Sequence, residues 1–207
     1  MDDNQVLDKQ SISVSSDWDG ENDLSPDVQW THPYLWEFVQ LLPPDGHSLL
    51  DVGCGRGIVG ALARIYRDYD RTVGVDVFEP YLKFVEQHRF YTEMRRLDLN
   101  SPLPFADKEF DVVTCLEVLE HLNKGAGTHL IGEMQRVGRR IIFGTPDRFH
   151  QQPEFDGNLF QKHQSLWTPR EFKRLGYNVV KARGRVNISV GSIHITSKHE
   201  YLAWRDA

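Results

Sequence analysis

Cysteine is scarce in this chain. Two occur in 207 residues, Cys54 and Cys115, with no CxxC spacing. That argues against a disulfide framework and for a reducing, cytoplasmic setting. Long apolar runs are also missing. None approaches the roughly 20 residues that span a bilayer, so no membrane partner is expected. The acidic N-terminus has no hydrophobic core of a secretion signal. Basic charge is in deficit: 24 Lys and Arg face 30 Asp and Glu, a net charge of −6, with a pI of about 5.8. A broad basic face for nucleic acid is therefore not expected, although a small local patch is compatible. Internal repeats are absent.

What is present begins with residues 1–28, a polar, acidic, Ser- and Asp-rich stretch that reads as a flexible tail. Trp18, and Trp30 just beyond it, keep a second reading open, in which this segment is a lid over a ligand. Residues 29–207 read as one domain. Pro33 to Leu42 has helical spacing and stops at Pro43-Pro44-Asp45-Gly46. Ser48 to Asp51 is a short apolar strand, and Ile58 to Tyr69 a helix with Val59, Leu62, Ile65 and Tyr66 inward. Thr72 to Asp76 is a strand, Pro80 to Phe90 a helix, and Glu93 to Leu97 a short strand. Phe110 to Cys115 is the fourth strand. A helix starts at Glu117 to Leu122, is interrupted at Gly125 to Gly127, and resumes from Thr128 to Val137. Arg140 to Gly144 is the fifth strand.

Gln151 to Trp167 has no periodicity, and a long loop of that kind in a compact domain is a functional candidate. Thr168-Pro169-Arg170-Glu171 carries the signature of a helix start, and that helix ends at Gly176. Tyr177 to Ala182 and His199 to Trp204 supply two last strands. Strands alternating with helices define an α/β fold, doubly wound, with a mostly parallel seven-stranded sheet and helices on both faces. Ligands of such sheets bind beyond the carboxyl ends of the strands.

The unusual residues collect at those ends. LLDVGCGRG, Leu49 to Gly57, is a strand, a glycine turn and a helix start. Glycine there permits positive φ and close approach of a ligand, and helix N–H groups point into the same space. Asp76 follows the second strand, 19 positions after Gly57, where a carboxylate can accept from the two ribose hydroxyls of a nucleoside. A lone acid at a strand end is more often a turn or capping residue; in this company the ribose reading is preferred. The rival is a dinucleotide site, G-x-G-x-x-G. Here the third glycine position is Ile58, and Asp51 stands two residues ahead of Gly53. An acid there opposes a pyrophosphate and suits a ligand with ammonium or sulfonium charge.

With these residues in place, the chain resembles the class I S-adenosylmethionine-dependent methyltransferases, over about Trp30 to Trp204, which implies a Rossmann-like fold and S-adenosyl-L-methionine as cofactor. The resemblance implies that Asp51 and the backbone at Gly53, Cys54, Gly55 and Gly57 hold the methionine part. It implies that Asp76 binds the ribose with Val77 beside the adenine, that Asp98 and Leu99 meet the adenine edge, and that Leu116 and Glu117 pass close to the cofactor. FDVVTCLEVLEHL, Phe110 to Leu122, is similar to the family's fourth motif. The segments Glu117 to Arg136, Thr145 to Asp147 and Gln161 to Tyr177 resemble a minimal-core prokaryotic branch. The E-x-x-E-H pattern is also found in ubiquinone-pathway O-methyltransferases and small-RNA 2′-O-methyltransferases, some of which bind a divalent metal.

Glu117, Glu120 and His121 stand at i, i+3 and i+4 and so share a face if helical. With His163 they form a set able to ligate Mg²⁺, Mn²⁺ or Zn²⁺. The preferred expectation is metal-free, with His121 as general base. His150 and His163 are weaker candidates for that role. Cys54 and Cys115 are expected to pack rather than react. Trp30, Trp36 and Trp167 are expected in the core, with a substrate-pocket floor as the alternative. The expected activity is methyl transfer to O or N of a small molecule by direct displacement. Two alternatives stand beside it: metal-assisted 2′-O-methylation of RNA, and a catalytically silent cofactor-binding partner subunit.

Overall fold

The computed structural model describes residues 34–149, 151–154, 157–181, 186–187, 196–197 and 200–207. Residues 1–28, Trp30 and His150 lie outside them. The chain runs α1 (Leu35–Leu41), β1 (Ser48–Val52), α2 (Ile58–Tyr66), β2 (Arg71–Asp76), α3 (Glu79–His88), β3 (Glu93–Arg96), β4 (Phe110–Leu116), α4 (Lys124–Val137), β5 (Gly138–Pro146), α5 (Pro169–Arg174) and β6 (Asn178–Lys181). It continues through a short antiparallel pair, β7 (Val186–Asn187) and β8 (Thr196–Ser197), to β9 (Glu200–Asp206). Seven strands form one sheet in the order β3-β2-β1-β4-β5-β9-β6. Strands β1 to β5 are mutually parallel, and β9 runs antiparallel to both β5 and β6.

The inner strands β1, β2 and β4 are apolar on both sides because helices cover both faces, while the edge strands β3 and β6 are more polar and more exposed. Leu50, Val113, Ile141, Phe143 and Ala203 point to the face covered by α4 and α5. Leu49, Val112, Ile142 and Leu202 point to the face covered by α1 and α2. Each fully buried Leu, Val or Phe contributes about 2 kcal/mol of burial free energy. The order reverses between β1 and β4, which opens the crevice where ligands of doubly wound sheets sit.

Two expectations are corrected. In α2, Ile65 and Tyr66 are not inward: they are 71% and 47% exposed, and the buried face is Val59, Gly60 and Ala63. Small residues there bring the helix close to the sheet, and the large ones are left outside. Second, Gly125 and Gly127 do not break a helix. α4 is continuous from Lys124 to Val137, capped by the Asn123 side chain on the Ala126 N–H. Gly127 is small because the Trp167 indole lies against it; a Cβ would come within 2.6 Å of Cζ2. Glu117 to His121 is then not a helix but an irregular link holding one 3₁₀ turn, Leu119–His121.

The start of α5 is as the sequence indicates. Thr168 Oγ1 accepts from the Glu171 N–H, and the Glu171 carboxylate accepts from the Thr168 N–H. Thr168→Ala is expected to lower stability by about 1 kcal/mol, read from the midpoint shift in urea denaturation.

Candidate active site

The glycine turn follows β1 directly. Gly53, Gly55 and Gly57 have φ of +74°, +50° and +84°. The Gly53 and Cys54 N–H groups both donate to the Val75 carbonyl, at 2.8 and 2.9 Å, which pins the turn to β2. The Gly55 N–H donates to Asp76 Oδ2 at 2.9 Å, and the Phe78 N–H to Oδ1 at 2.9 Å. These N–H groups are spent inside the protein, so the turn offers space rather than donors at those positions. Gly55 shows that space: a Cβ on it would meet nothing within 4 Å.

Asp51 lies beneath the turn, 1% exposed. Its oxygens accept from Tyr91 Oη at 2.5 Å and Thr114 Oγ1 at 2.8 Å. Burial pushes its carboxyl up to about 6 against the pull of these two bonds. Asp76 is also raised, by burial, and is held back by backbone N–H donors. Asp98 is exposed and accepts from Asn100 through backbone and side chain, while Leu99 beside it is buried. Val77 is half-buried. Leu116 ends β4, 9% exposed. Asp51, the turn, Asp76, Val77, Asp98, Leu99, Leu116 and Glu117 thus gather at the carboxyl ends of β1 to β4.

Glu117 has φ +54°, a left-handed conformation uncommon outside glycine that is held only when its surroundings fix it. Here its N–H donates to Gly144 O at 2.8 Å, and Oε1 accepts from Tyr34 Oη at 2.7 Å. The Leu119–His121 turn then receives the long loop. Gln164 and Ser165 N–H groups donate to Glu120 O, Gln164 Nε2 to His121 O, and Ser165 Oγ and Trp167 Nε1 to Leu119 O. This docking carries His163, 8% exposed, to His121, with ring centroids 4.9 Å apart. Glu120, 2% exposed, joins them. One ligating atom from each of Glu120, His121 and His163 lies within 4.8 Å of the others.

Burial drives the Glu120 carboxyl up to about 7 and the His121 imidazole down to about 4, His163 adding to the latter. His121 Nδ1 is buried with no hydrogen-bond partner. Its imidazole is neutral at physiological pH, which suits a metal ligand and makes a weak base.

Residues 50–140 match the family described as "Methyltransferase domain". The ubiquinone biosynthesis O-methyltransferase of Bordetella avium is 29% identical over 154 residues, covering 70% of this chain and 62% of that protein. That of Alkalilimnicola ehrlichii is 26% identical, covering 68% and 58%. Among solved structures, the methyltransferase domain of bacterial CtHen1 superposes with a TM-score of 0.58 at 22% identity, covering 84% of this chain and 98% of that one. Magnesium protoporphyrin IX methyltransferase from Synechocystis, with bound SAH, gives 0.55 at 18% identity, covering 83% and 82%. Across residues 50–140 the chain is thus similar to methyltransferase domains. It spans 62% and 58% of the length of the two curated relatives named, and the structural likenesses are of fold.

Around this site several supporting residues carry no motif. Tyr91 and Thr114 hold Asp51, Tyr34 holds Glu117, and Thr145 Oγ1 donates to Glu120 Oε2 at 3.2 Å. Gly60 and Gly74, glycines inside a helix and a strand, were the signal for Tyr91, since such glycines mark a close neighbour. Trp167 is core as expected, 3% exposed, whereas the expectation for Trp36 is corrected: it stands 66% exposed on α1, whose buried residues are Phe38 and Val39. Cys54 and Cys115 are buried free thiols pushed up by burial. Among the described residues no helix is long and apolar enough to cross a membrane.

Proposed function

We propose that the protein transfers the methyl group of S-adenosylmethionine to an oxygen or nitrogen of a small molecule. The observation that carries this is the open cradle at Gly55 with Asp76 hooked to it, at the switch point of the sheet. Asp76 has lone pairs left for two ribose hydroxyls, and Leu99 and Val77 offer apolar surface for the base. The charge of Asp51 favours the ammonium and sulfonium end.

The acceptor lone pair attacks the methyl carbon in line with the C–S bond. The bond electrons pass to sulfur, which leaves as the neutral thioether of S-adenosylhomocysteine, and the acceptor proton passes to His121 or to water. Placement of the three atoms on one line is the main task. The named relatives are O-methyltransferases, which favours oxygen. The test is a panel of phenols, catechols, aliphatic alcohols and amines, read as S-adenosylhomocysteine formed per acceptor. A turnover with hydroxyl acceptors supports the reading; none with any acceptor, on protein that binds the cofactor, favours a silent partner subunit.

A second reading adds a metal, and the convergence of Glu120, His121 and His163 favours it. The buried unpartnered Nδ1 and a carboxyl pushed up to about 7 are what a cation would relieve. These three side chains, with Glu117 nearby, would hold Mg²⁺, Mn²⁺ or Zn²⁺, which would orient acceptor oxygens and lower their pKa. The purified protein is expected to bind Zn²⁺ or Mn²⁺ by calorimetry, and Glu120→Ala or His163→Ala to weaken that binding at least about tenfold, one ligand's worth of metal affinity. Methyl transfer undiminished by EDTA removes the metal and leaves His121 as the base.

A further inference from the structure

Asp51 is buried directly under the cofactor turn, and what surrounds it is uneven. Among the described residues no Lys or Arg pairs with it. Its hydrogen-bond partners are two hydroxyls, Tyr91 Oη on Oδ2 at 2.5 Å and Thr114 Oγ1 on Oδ1 at 2.8 Å. The titratable groups around it are the two thiols, Cys54 of the turn and Cys115 of β4, the Tyr91 phenol, and Asp76 at the end of β2. Burial holds the thiols and the phenol neutral, and Asp76 repels. A buried carboxylate is ordinarily paired with a cation, and the described residues supply none here.

Tyr91 is built in with some care. It lies between α3 and β3, 9% exposed, and its ring fills a slot left by two glycines. A Cβ on Gly60 of α2 would come within 2.6 Å of its Cζ, and one on Gly74 of β2 within 3.0 Å of its Cδ2. Gly74 is the register partner of Asp51 on one side, and Thr114 on the other. The hydroxyl accepts from the Gly60 N–H at 3.0 Å, which leaves its own proton for Asp51. The direction of the Tyr91 bond is thereby set by α2.

We propose that Tyr91 is a positioning residue of the cofactor site, whose hydroxyl holds Asp51 as a charged carboxylate to attract the ammonium-bearing end of the ligand. The inference rests on the cofactor reading above. It implies that ligand affinity follows the ionisation of Asp51. Burial places that ionisation near 6, and the Tyr91 bond lowers it from where burial alone would put it. Without the hydroxyl the carboxyl takes up its proton at higher pH, and affinity is lost there.

The experiment is calorimetric binding of S-adenosylhomocysteine from about pH 5 to about pH 7.5, a window between the α-carboxyl and α-amino titration ranges. Wild-type affinity should fall as pH drops through about 6. In Tyr91→Phe the fall should move up by roughly one pH unit, for a lost bond to a charged group. In Asp51→Asn the dependence should flatten, which separates Asp51 from Asp76. Thr114→Val removes the other hydroxyl donor and should move the fall the same way, which keeps the test available if Tyr91→Phe does not fold. A Tyr91→Phe profile that coincides with wild type, or that is weakened equally at every pH, overturns the proposal while the cofactor reading stands. Wild-type protein that binds no S-adenosylhomocysteine at any pH overturns both.

Discussion

Asp76→Ala is expected to weaken S-adenosylhomocysteine binding about 100-fold with little loss of folding stability. The carboxylate has two duties. It closes the glycine turn by accepting the Gly55 N–H, and it shapes the start of α3 by accepting the Phe78 N–H. In the proposed complex it also accepts both ribose hydroxyls. Hydrogen bonds to a charged group are worth about 1.5–3 kcal/mol each, and a net loss of about 3 kcal/mol is roughly 100-fold in Kd. Stability changes less because Asp76 is costly to bury: desolvation raises its carboxyl above the ordinary range, and alanine removes that cost along with the two backbone bonds. Asp76→Asn, which keeps the shape and loses the charge, should fall between, at about tenfold. Calorimetry with a thermal melt on each variant separates the two effects. Alanine binding within a few-fold of wild type would show that Asp76 only closes the turn.

Gly53→Ala is expected to damage both binding and folding. Gly53 has φ +74°, and a Cβ there would overlap Val118 Cγ2 and lie 3.1 Å from Cγ1. The left-handed conformation costs about 1–2 kcal/mol for a residue with a Cβ, and forcing bulk into a packed contact costs about 1–3 kcal/mol more. At about 3 kcal/mol in total, the melting temperature should fall by about 6–12 °C for a domain of this size. Binding should be lost more than 100-fold, because the strain falls on the cradle itself. Val118 belongs to the link that carries Glu117, Glu120 and His121, so the glycine turn and that link are in direct contact. Gly53→Ala with Val118→Ala should regain the part due to overlap and keep the part due to φ. A double variant no better than the single one would place the whole defect in the backbone conformation.

Strands β1, β2 and β4 were legible in the sequence because each is short, largely apolar and bounded by turn residues, whereas β3, Glu93–Arg96, is polar and was legible only by its place in the alternation of strands and helices. Ser48 and Phe110 begin strands as read, and the Thr168 start of α5 is as its cap residues indicate. Faces and breaks were less legible. Ile65 and Tyr66 match helical spacing with Val59, yet the buried face of α2 follows Gly60 and Ala63, since proximity to the sheet selects small side chains over large ones. Gly127 reads as a breaker in one dimension, and only the Trp167 indole beside it explains a glycine inside α4.

The same holds for the candidate site. The glycine turn and Asp76 are local in sequence, and the motif alone brings them into view. The meeting of His163 with Glu120 and His121 depends on a loop with no periodicity, docked through the carbonyls of Leu119, Glu120 and His121. Spacing put Glu117, Glu120 and His121 on one helical face, whereas Glu117 stands in a left-handed turn ahead of a single 3₁₀ turn. Tyr91 acts on Asp51 from 40 residues away in the chain, with nothing in its own neighbourhood to mark it.

The central claim is that the turn at Gly53 to Gly57 holds a sulfonium cofactor and not a dinucleotide. Paired titrations of the wild-type protein with S-adenosylhomocysteine and with NADH test it most directly. One mole of S-adenosylhomocysteine per chain with no measurable NADH binding is the predicted result. NADH binding in the absence of S-adenosylhomocysteine binding would contradict it.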